Sequence, residues 1–137
     1  MSQFIINNWM LFLAFFVVLV LLLHEPISQM VYKIRKVSPL EVPKLTSRDS
    51  AVVVDVCETK EYKLGHIPKS INIPLSRLSQ DIEQLKKYRE KPIILSCRSG
   101  NRSIKAAVTL RRNGFETVYS LSGGLLAWEK ENLPVER

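Results

Sequence analysis

The sequence predicts an α/β domain with a mostly parallel central sheet and helices on both faces, preceded by one N-terminal transmembrane helix. Short apolar segments rich in β-branched residues alternate with amphipathic segments of about ten residues, which is typical of parallel sheets with crossover helices. One long apolar segment near the N-terminus differs from the rest of the chain. In a chain of 137 residues, the remainder has room for one compact domain.

Residues 4–24 are predicted to form the transmembrane helix. No polar side chain occurs from Trp9 to Leu23. A helix over the whole segment is about 30 Å long, which matches the hydrocarbon core of a bilayer. A buried core helix and a cleaved signal peptide are the alternatives. The signal peptide is disfavoured because no Lys or Arg precedes the segment and no small-residue cleavage site follows it.

Basic residues after the span predict its orientation. Lys33, Arg35 and Lys36 follow it closely and none precedes it, so the positive-inside bias places the N-terminus outside and the C-terminal domain in the cytoplasm. The predicted parts of the chain are an N-terminal tail over 1–3, a transmembrane helix over 4–24, a juxtamembrane connector over 25–45 and the α/β domain over 46–136.

The elements of the domain follow from their hydrophobic patterns. Ala51 to Val56 is a continuous apolar run, as a strand covered on both faces requires. Leu78, Ile82 and Leu85 recur at helical spacing and predict an amphipathic helix over 76–89. The other predicted elements are a short helix from Ser38 limited by Pro43, a helix over 58–64, a short strand over 71–73, a strand over 92–96, a helix over 103–113, a strand over 117–121 and a helix over 125–132.

Composition narrows the chemistry. Two cysteines are too few for a disulfide framework, and a reducing cytosol would keep both as thiols. The net charge of +7 suggests anionic partners, which include lipid head groups, small anions and nucleic acid. Lys and Arg are dispersed among acidic residues without interleaved aromatic side chains, so nucleic-acid binding is disfavoured.

The segment from Cys97 to Ser103 is the candidate site. It follows the strand over 92–96, and ligands of parallel sheets bind beyond the carboxyl ends of the strands. Backbone N–H groups and the positive end of the next helix dipole can converge there, and Arg98 and Arg102 add two positive charges. These effects favour the thiolate in a partly exposed place, so we expect Cys97 to be a nucleophile. An inert buried cysteine and a non-catalytic phosphate cradle are the alternatives.

Several separated motifs resemble the rhodanese-like domains, in particular single-domain bacterial members with an N-terminal membrane anchor. Their order and spacing, over about 46–134, is specific, although each motif alone is weak. The motifs are Asp55-Val56, Glu61-Tyr62, Gly65-His66-Ile67-Pro68, Ile71-Asn72-Ile73-Pro74, the loop from Cys97 to Ser103, Gly123-Gly124-Leu125 and Ala127-Trp128. With the predicted span, this resemblance implies a location in the bacterial inner membrane.

The resemblance implies a sulfurtransferase. Cys97 would attack the outer sulfur of thiosulfate or a persulfide, hold it as a persulfide, and pass it to a thiol, a protein acceptor or cyanide. The donor is a small anion, which the side chains of Arg98 and Arg102 would attract. No metal or organic cofactor is implied. The alternative is a non-catalytic, membrane-tethered binding module. The residues expected to bind the transferred sulfur through their backbone amides are Arg98, Ser99, Gly100, Asn101 and Arg102.

Two features of the motifs refine this interpretation. Related phosphatase and arsenate-reductase domains place five residues between cysteine and arginine, whereas only four separate Cys97 from Arg102, so the narrower loop favours sulfur over a phosphoryl group. Cys57 stands where an arginine commonly follows Asp-Val, which implies that Glu61 lacks its usual partner. Cys57 itself is either a relay thiol or, as we favour, a passive small residue. His66 and Asp55 are expected to have structural roles.

Overall fold

The computed structural model describes residues 2–32 and 34–137, apart from the side chains of 25–32. Contacts divide the chain into two units, Met1–Lys33 and Ile34–Arg137. Lys33, one of the basic residues behind the predicted orientation, lies outside the described residues, as do the side chains in the first part of the predicted connector.

The first unit consists of two helices, α1 (Ser2–Asn7) and α2 (Trp9–Tyr32). The predicted continuous helix over 4–24 is therefore divided at Asn8, whose side-chain amide donates to the Phe4 carbonyl oxygen at 2.9 Å and competes with helical bonding. Within the described part of the chain, no helix is both long enough and apolar enough to cross a membrane. The predicted span is thus not confirmed.

The second unit is built on five parallel strands, which confirms the predicted α/β class. Their order across the sheet is β1 (Arg35–Val37), β5 (Val118–Leu121), β4 (Ile93–Ser96), β2 (Val52–Asp55) and β3 (Ile71–Asn72). The four strands β2 to β5 were predicted within two residues of these bounds. Their apolar runs are detectable because both faces of a parallel sheet are covered.

Strand β1 was not predicted, because its residues were assigned to the connector. It lies at the edge of the sheet, where Val37 pairs with Leu121 of β5. Only Val37 of its three residues is buried, while Arg35 and Lys36 are exposed. A strand with one buried residue has no apolar run from which it could be recognised.

Five helices accompany the sheet: α3 (Glu41–Arg48), α4 (Thr59–Leu64), α5 (Leu78–Asp81), α6 (Asn101–Arg112) and α7 (Gly124–Lys130). Pro43 lies in the first turn of α3 and does not end it, because the N–H groups of that turn have no intrahelical partner. The predicted helix over 76–89 is a single α-turn between two 3₁₀ segments. Its apolar stripe is nevertheless buried, because both helix types bring residues three or four apart onto one side.

Two apolar clusters cover opposite faces of the sheet. Alternate residues of β4 enter different clusters, with Ile93 and Leu95 on one face and Ile94 on the other. The first cluster includes Leu110 of α6, and the second includes Trp128 of α7. The sheet is thus packed on both faces, and the loops that follow β2, β4 and β5 begin from buried, well-packed residues.

Candidate active site

The loop from Cys97 to Ser103 turns back over the end of β4. Gly100 has a φ of +103°, a left-handed conformation in which a side chain would be strained. This turn directs the Gly100 N–H at the sulfur of Cys97, with an N···Sγ distance of 3.0 Å. Helix α6 begins at the next residue, so its positive end faces the same region. The arrangement favours negative charge on the sulfur side of the loop.

The first turn of α7 supports the loop from the other side. The backbone N–H of Leu125 donates to the Cys97 carbonyl oxygen at 2.8 Å, and that of Leu126 donates to the Arg98 carbonyl oxygen at 3.1 Å. Gly124 lies so close that a Cβ atom there would overlap the Cys97 carbonyl oxygen and approach the Arg98 carbonyl carbon and oxygen to 2.7 Å. The carbonyl groups of Cys97 and Arg98 therefore point toward α7. Only a residue without a side chain, such as Gly124, allows this close packing.

A buried hydroxyl lies beside the sulfur. The Oγ atom of Ser103 is 3.6 Å from Cys97 Sγ, and it donates to the Gly100 carbonyl oxygen at 2.9 Å. It also lies 2.7 Å from the hydroxyl of Ser120 on β5. Both serines are buried. Sequence reasoning missed this pair, although the position of Ser103 in the first turn of a helix that packs on the sheet was a usable signal.

Cys97 is more buried than the sequence analysis expected. Its exposed fraction is 1%, and it belongs to the apolar cluster that also contains Cys57. Around it, Arg98, Ser99 and Asn101 are exposed and Arg102 is half-buried. The expectation of a partly exposed thiol is therefore wrong for the cysteine itself and holds only for the rim of the loop.

Arg102 is held by a carboxylate on a different element. Its two terminal nitrogens contact the two oxygens of Glu61 on α4, at 2.8 and 2.9 Å. Glu61 is fixed in turn by the capping box that it forms with Glu58 at the start of α4. The hydrogen bonds from Arg102 lower the pKa of Glu61, and those to Glu61 raise the pKa of Arg102. The expectation that Glu61 lacks a partner is wrong, because an arginine from the loop takes that place.

Cys57 is placed at the end of β2, the strand beside β4. Its backbone N–H donates to Oδ1 of Asp55 at 2.8 Å, which confirms a structural role for that carboxyl group. Burial raises the pKa of Asp55. Burial, followed by the neighbouring Asp55 carboxyl, raises the pKa of the Cys57 thiol to about 12. Cys57 is therefore a neutral thiol near pH 7, which favours the passive interpretation over a relay nucleophile.

The comparisons with known proteins agree with this geometry. A family model described as a rhodanese-like domain matches residues 38–131. The chain belongs to the rhodanese-like domain family. The uncharacterized Escherichia coli K12 protein YibN is 31% identical over 136 residues, or 98% of this chain and 95% of that protein. A rhodanese-related protein from Thermoplasma volcanium superposes with a TM-score of 0.67 and 31% identity, covering 74% of this chain and 97% of its own. The tRNA uridine(34) hydroxylase of Buchnera aphidicola is 31% identical over 98 residues, which are 69% of this chain and 31% of that enzyme.

Membership of the rhodanese-like family is compatible with sulfur-transfer chemistry without specifying it, since one of these relatives is a tRNA uridine(34) hydroxylase. Within the described residues, no group of three or more His, Cys, Asp or Glu side chains is placed to hold a metal ion.

The histidine of the Gly-His-Ile-Pro motif has the structural role that was predicted. The ring of His66 stacks on Tyr62 with 3.7 Å between centroids, and its Nδ1 atom lies 2.8 Å from the Tyr62 carbonyl oxygen. Its backbone pairs in both directions with Glu136, at 2.9 Å for each hydrogen bond. In this rhodanese-like domain the motif thus joins α4 to the C-terminal segment.

Proposed function

We propose that this rhodanese-like domain is a sulfurtransferase whose nucleophile is Cys97. The main observation behind the proposal is the Gly100 N–H aimed at Cys97 Sγ at 3.0 Å, in a loop that ends at a helix start. Fixed donors of this kind stabilise negative charge without reorganising during the reaction. They suit both an attacking Cys97 thiolate and the terminal sulfur of a persulfide.

The proposed reaction has two displacement steps. The Cys97 thiolate attacks the outer sulfur of the donor, the donor's S–S bond breaks, and the leaving sulfite or thiolate keeps the electron pair. A thiolate or cyanide acceptor then attacks the outer sulfur of the Cys97 persulfide and regenerates the thiolate. The spacing of four residues between Cys97 and Arg102 supports sulfur as the transferred group, in preference to a larger phosphoryl group.

Mass spectrometry after exposure to thiosulfate, and separately to an alkyl persulfide, tests the proposal. We expect one added sulfur on Cys97, none on the Cys97→Ser variant, and unchanged loading of Cys97 in Cys57→Ser. Cys57→Ser is the matched control because it removes the other thiol of the chain from the same cluster. Absence of added sulfur on Cys97 with both donors would refute the proposal. Hydrolysis of an aryl phosphate that disappears in Cys97→Ser would replace it with a phosphatase.

A non-catalytic binding module is the second candidate, and the 1% exposure of Cys97 is the observation that favours it. The loading experiment separates the two, because a module of this kind would leave the thiol unmodified. The tRNA uridine(34) hydroxylase of Buchnera aphidicola aligns over only 31% of its length, so its activity does not transfer to this domain.

We further propose that the N-terminal unit attaches the domain to the bacterial inner membrane in a single pass, with the N-terminus outside and the domain in the cytoplasm. Large apolar side chains from Phe4 to Leu23 are exposed, and a continuous apolar surface of this size is typical of a membrane or protein contact. The alignment with YibN also extends over 98% of the chain, so it includes this segment. A reporter fused after Arg137 should be active in the cytoplasm, and activity confined to the outside would overturn this orientation. Extraction of the chain by alkaline carbonate would overturn the anchor.

A further inference from the structure

The charge at the mouth of the candidate site is set by Glu61 as much as by the two loop arginines. Both terminal nitrogens of Arg102 face the Glu61 carboxylate, so the pair of donors that would grip an anion bidentately is already occupied. Each side chain of the pair is 34% exposed, so the pair lies at the surface, and Arg102 belongs to the loop that begins at Cys97. The positive charge of Arg98 also acts on Glu61.

The end of β2 and the segment before α4 add no positive charge beside the pair. Their ionisable groups are Asp55, Cys57 and Glu58. The Glu58 side chain is anchored by the Ser76 hydroxyl at 3.1 Å and by the capping box, so it remains beside Glu61. The charge of Arg102 is thus opposed directly by the Glu61 carboxylate, with the Glu58 side chain held next to it.

We propose that Glu61 is a specificity-determining residue that makes Cys97 accept low-charge persulfides of the type R–S–SH in preference to the thiosulfate dianion. This inference rests on the proposed sulfurtransferase function and names its donor class. In the favoured step the Cys97 thiolate attacks the outer sulfur of R–S–SH, the S–S bond of the donor breaks, and R–S⁻ leaves with the electron pair while the outer sulfur and its proton stay on Cys97. With thiosulfate the same attack expels sulfite, but two negative charges must first approach the Glu61 carboxylate.

The size of the effect follows from Coulomb's law. At ~5 Å in water, removing one negative charge changes the rate for a singly charged partner about fourfold and for a doubly charged partner about fifteenfold. Because R–S–SH carries no net charge, the ratio of the thiosulfate rate to the persulfide rate should rise by the whole factor for a doubly charged partner, about fifteenfold, in Glu61→Gln at low salt. Added salt should reduce this change, because the pair is exposed and the charges are screened.

The test measures the rate of sulfur loading on Cys97 of the full chain by quenched mass spectrometry, with thiosulfate and the persulfide of 2-mercaptoethanol as probes. Glu61→Gln removes the charge, and Glu61→Asp keeps it while shortening the side chain. Glu116→Gln is the matched control, because this exposed glutamate precedes the start of β5, whereas the Cys97 loop follows the end of the neighbouring parallel strand β4. We expect the rate ratio to change in Glu61→Gln alone, and to change less in high salt.

The outcomes separate this inference from the proposed function. If Cys97 loads from neither donor in the parent chain, the sulfurtransferase proposal fails. If it loads from both and Glu61→Gln slows them equally, Glu61 only positions the loop and the specificity proposal is wrong. A shift of the ratio in Glu61→Asp as large as in Glu61→Gln would also overturn it, since the charge is retained in that variant.

Discussion

The contact between α7 and the Cys97 loop can be tested at Gly124. Substitution by alanine would introduce a Cβ atom that overlaps the Cys97 carbonyl oxygen, at a position where φ is +60°. The left-handed backbone alone costs alanine about 1–2 kcal/mol. The overlap with backbone atoms, which cannot rotate away, adds about 1–3 kcal/mol. We therefore expect Gly124→Ala to lower the free energy of unfolding by about 2–5 kcal/mol.

Gly114→Ala is the control for backbone strain. Its φ of +89° is also left-handed, but the nearest atoms to an added Cβ are those of the Arg89 guanidinium, at 3.9 Å. This variant should lose only the conformational contribution of about 1–2 kcal/mol and should load sulfur on Cys97 at the parent rate. Gly124→Ala should load more slowly even under conditions where it is fully folded, because the loop has to move away from α7.

Urea unfolding followed by tryptophan fluorescence gives the free energies, and quenched mass spectrometry gives the loading rates. Equal stability of the two variants, together with parent-like loading in Gly124→Ala, would show that the α7 contact does not hold the loop.

Three further predictions concern the groups around Cys97. Ser103→Ala should slow sulfur loading several-fold, because the Ser103 hydroxyl lies 3.6 Å from Cys97 Sγ. Ser120→Ala should lower the free energy of unfolding by about 1–3 kcal/mol and affect loading less. Equal loading rates in the two variants would contradict this. The pKa of Glu61 is lowered, so its pair with Arg102 stabilises the fold at pH values above the ordinary glutamate pKa of 4.5, and this stability is lost as the pH falls below that value. In Glu61→Gln, the urea midpoint of unfolding should therefore decrease less steeply with acidification than in the parent chain. Cys57 has a pKa raised to about 12 and should resist iodoacetamide at pH 8 until the chain unfolds. Rapid alkylation of Cys57 itself in the native protein, located by mass spectrometry, would revive the relay interpretation.

The elements that could be predicted from the sequence are those whose signal is local. Strands β2 and β4 each begin with three consecutive apolar residues, and the Cys97 loop is a contiguous motif at a strand end. Strand β1 could not be predicted, because its pairing with β5 joins residues 84 positions apart, Arg35 and Tyr119, and only one of its residues is buried. The 3₁₀ segments around α5 share their apolar spacing with an α-helix, so the pattern gives the buried side but not the helix type.

The difference between local and long-range signals also explains why the partner of Glu61 was predicted wrongly. The sequence shows the positive charges of Arg98 and Arg102 beside Cys97, while the carboxylate that pairs with Arg102 lies 41 residues away and cannot be found from a contiguous motif. Cys57 removes one possible cationic partner from the end of β2, and Glu61 is then bound by the arginine of the reactive loop itself. The start of α4 and the loop after β4 are therefore joined by an ion pair, so that a change at either element alters both the shape and the charge of the surface above Cys97. For that reason the charge of the donor, rather than the presence of the cysteine alone, is the property by which the activity of this domain should be examined.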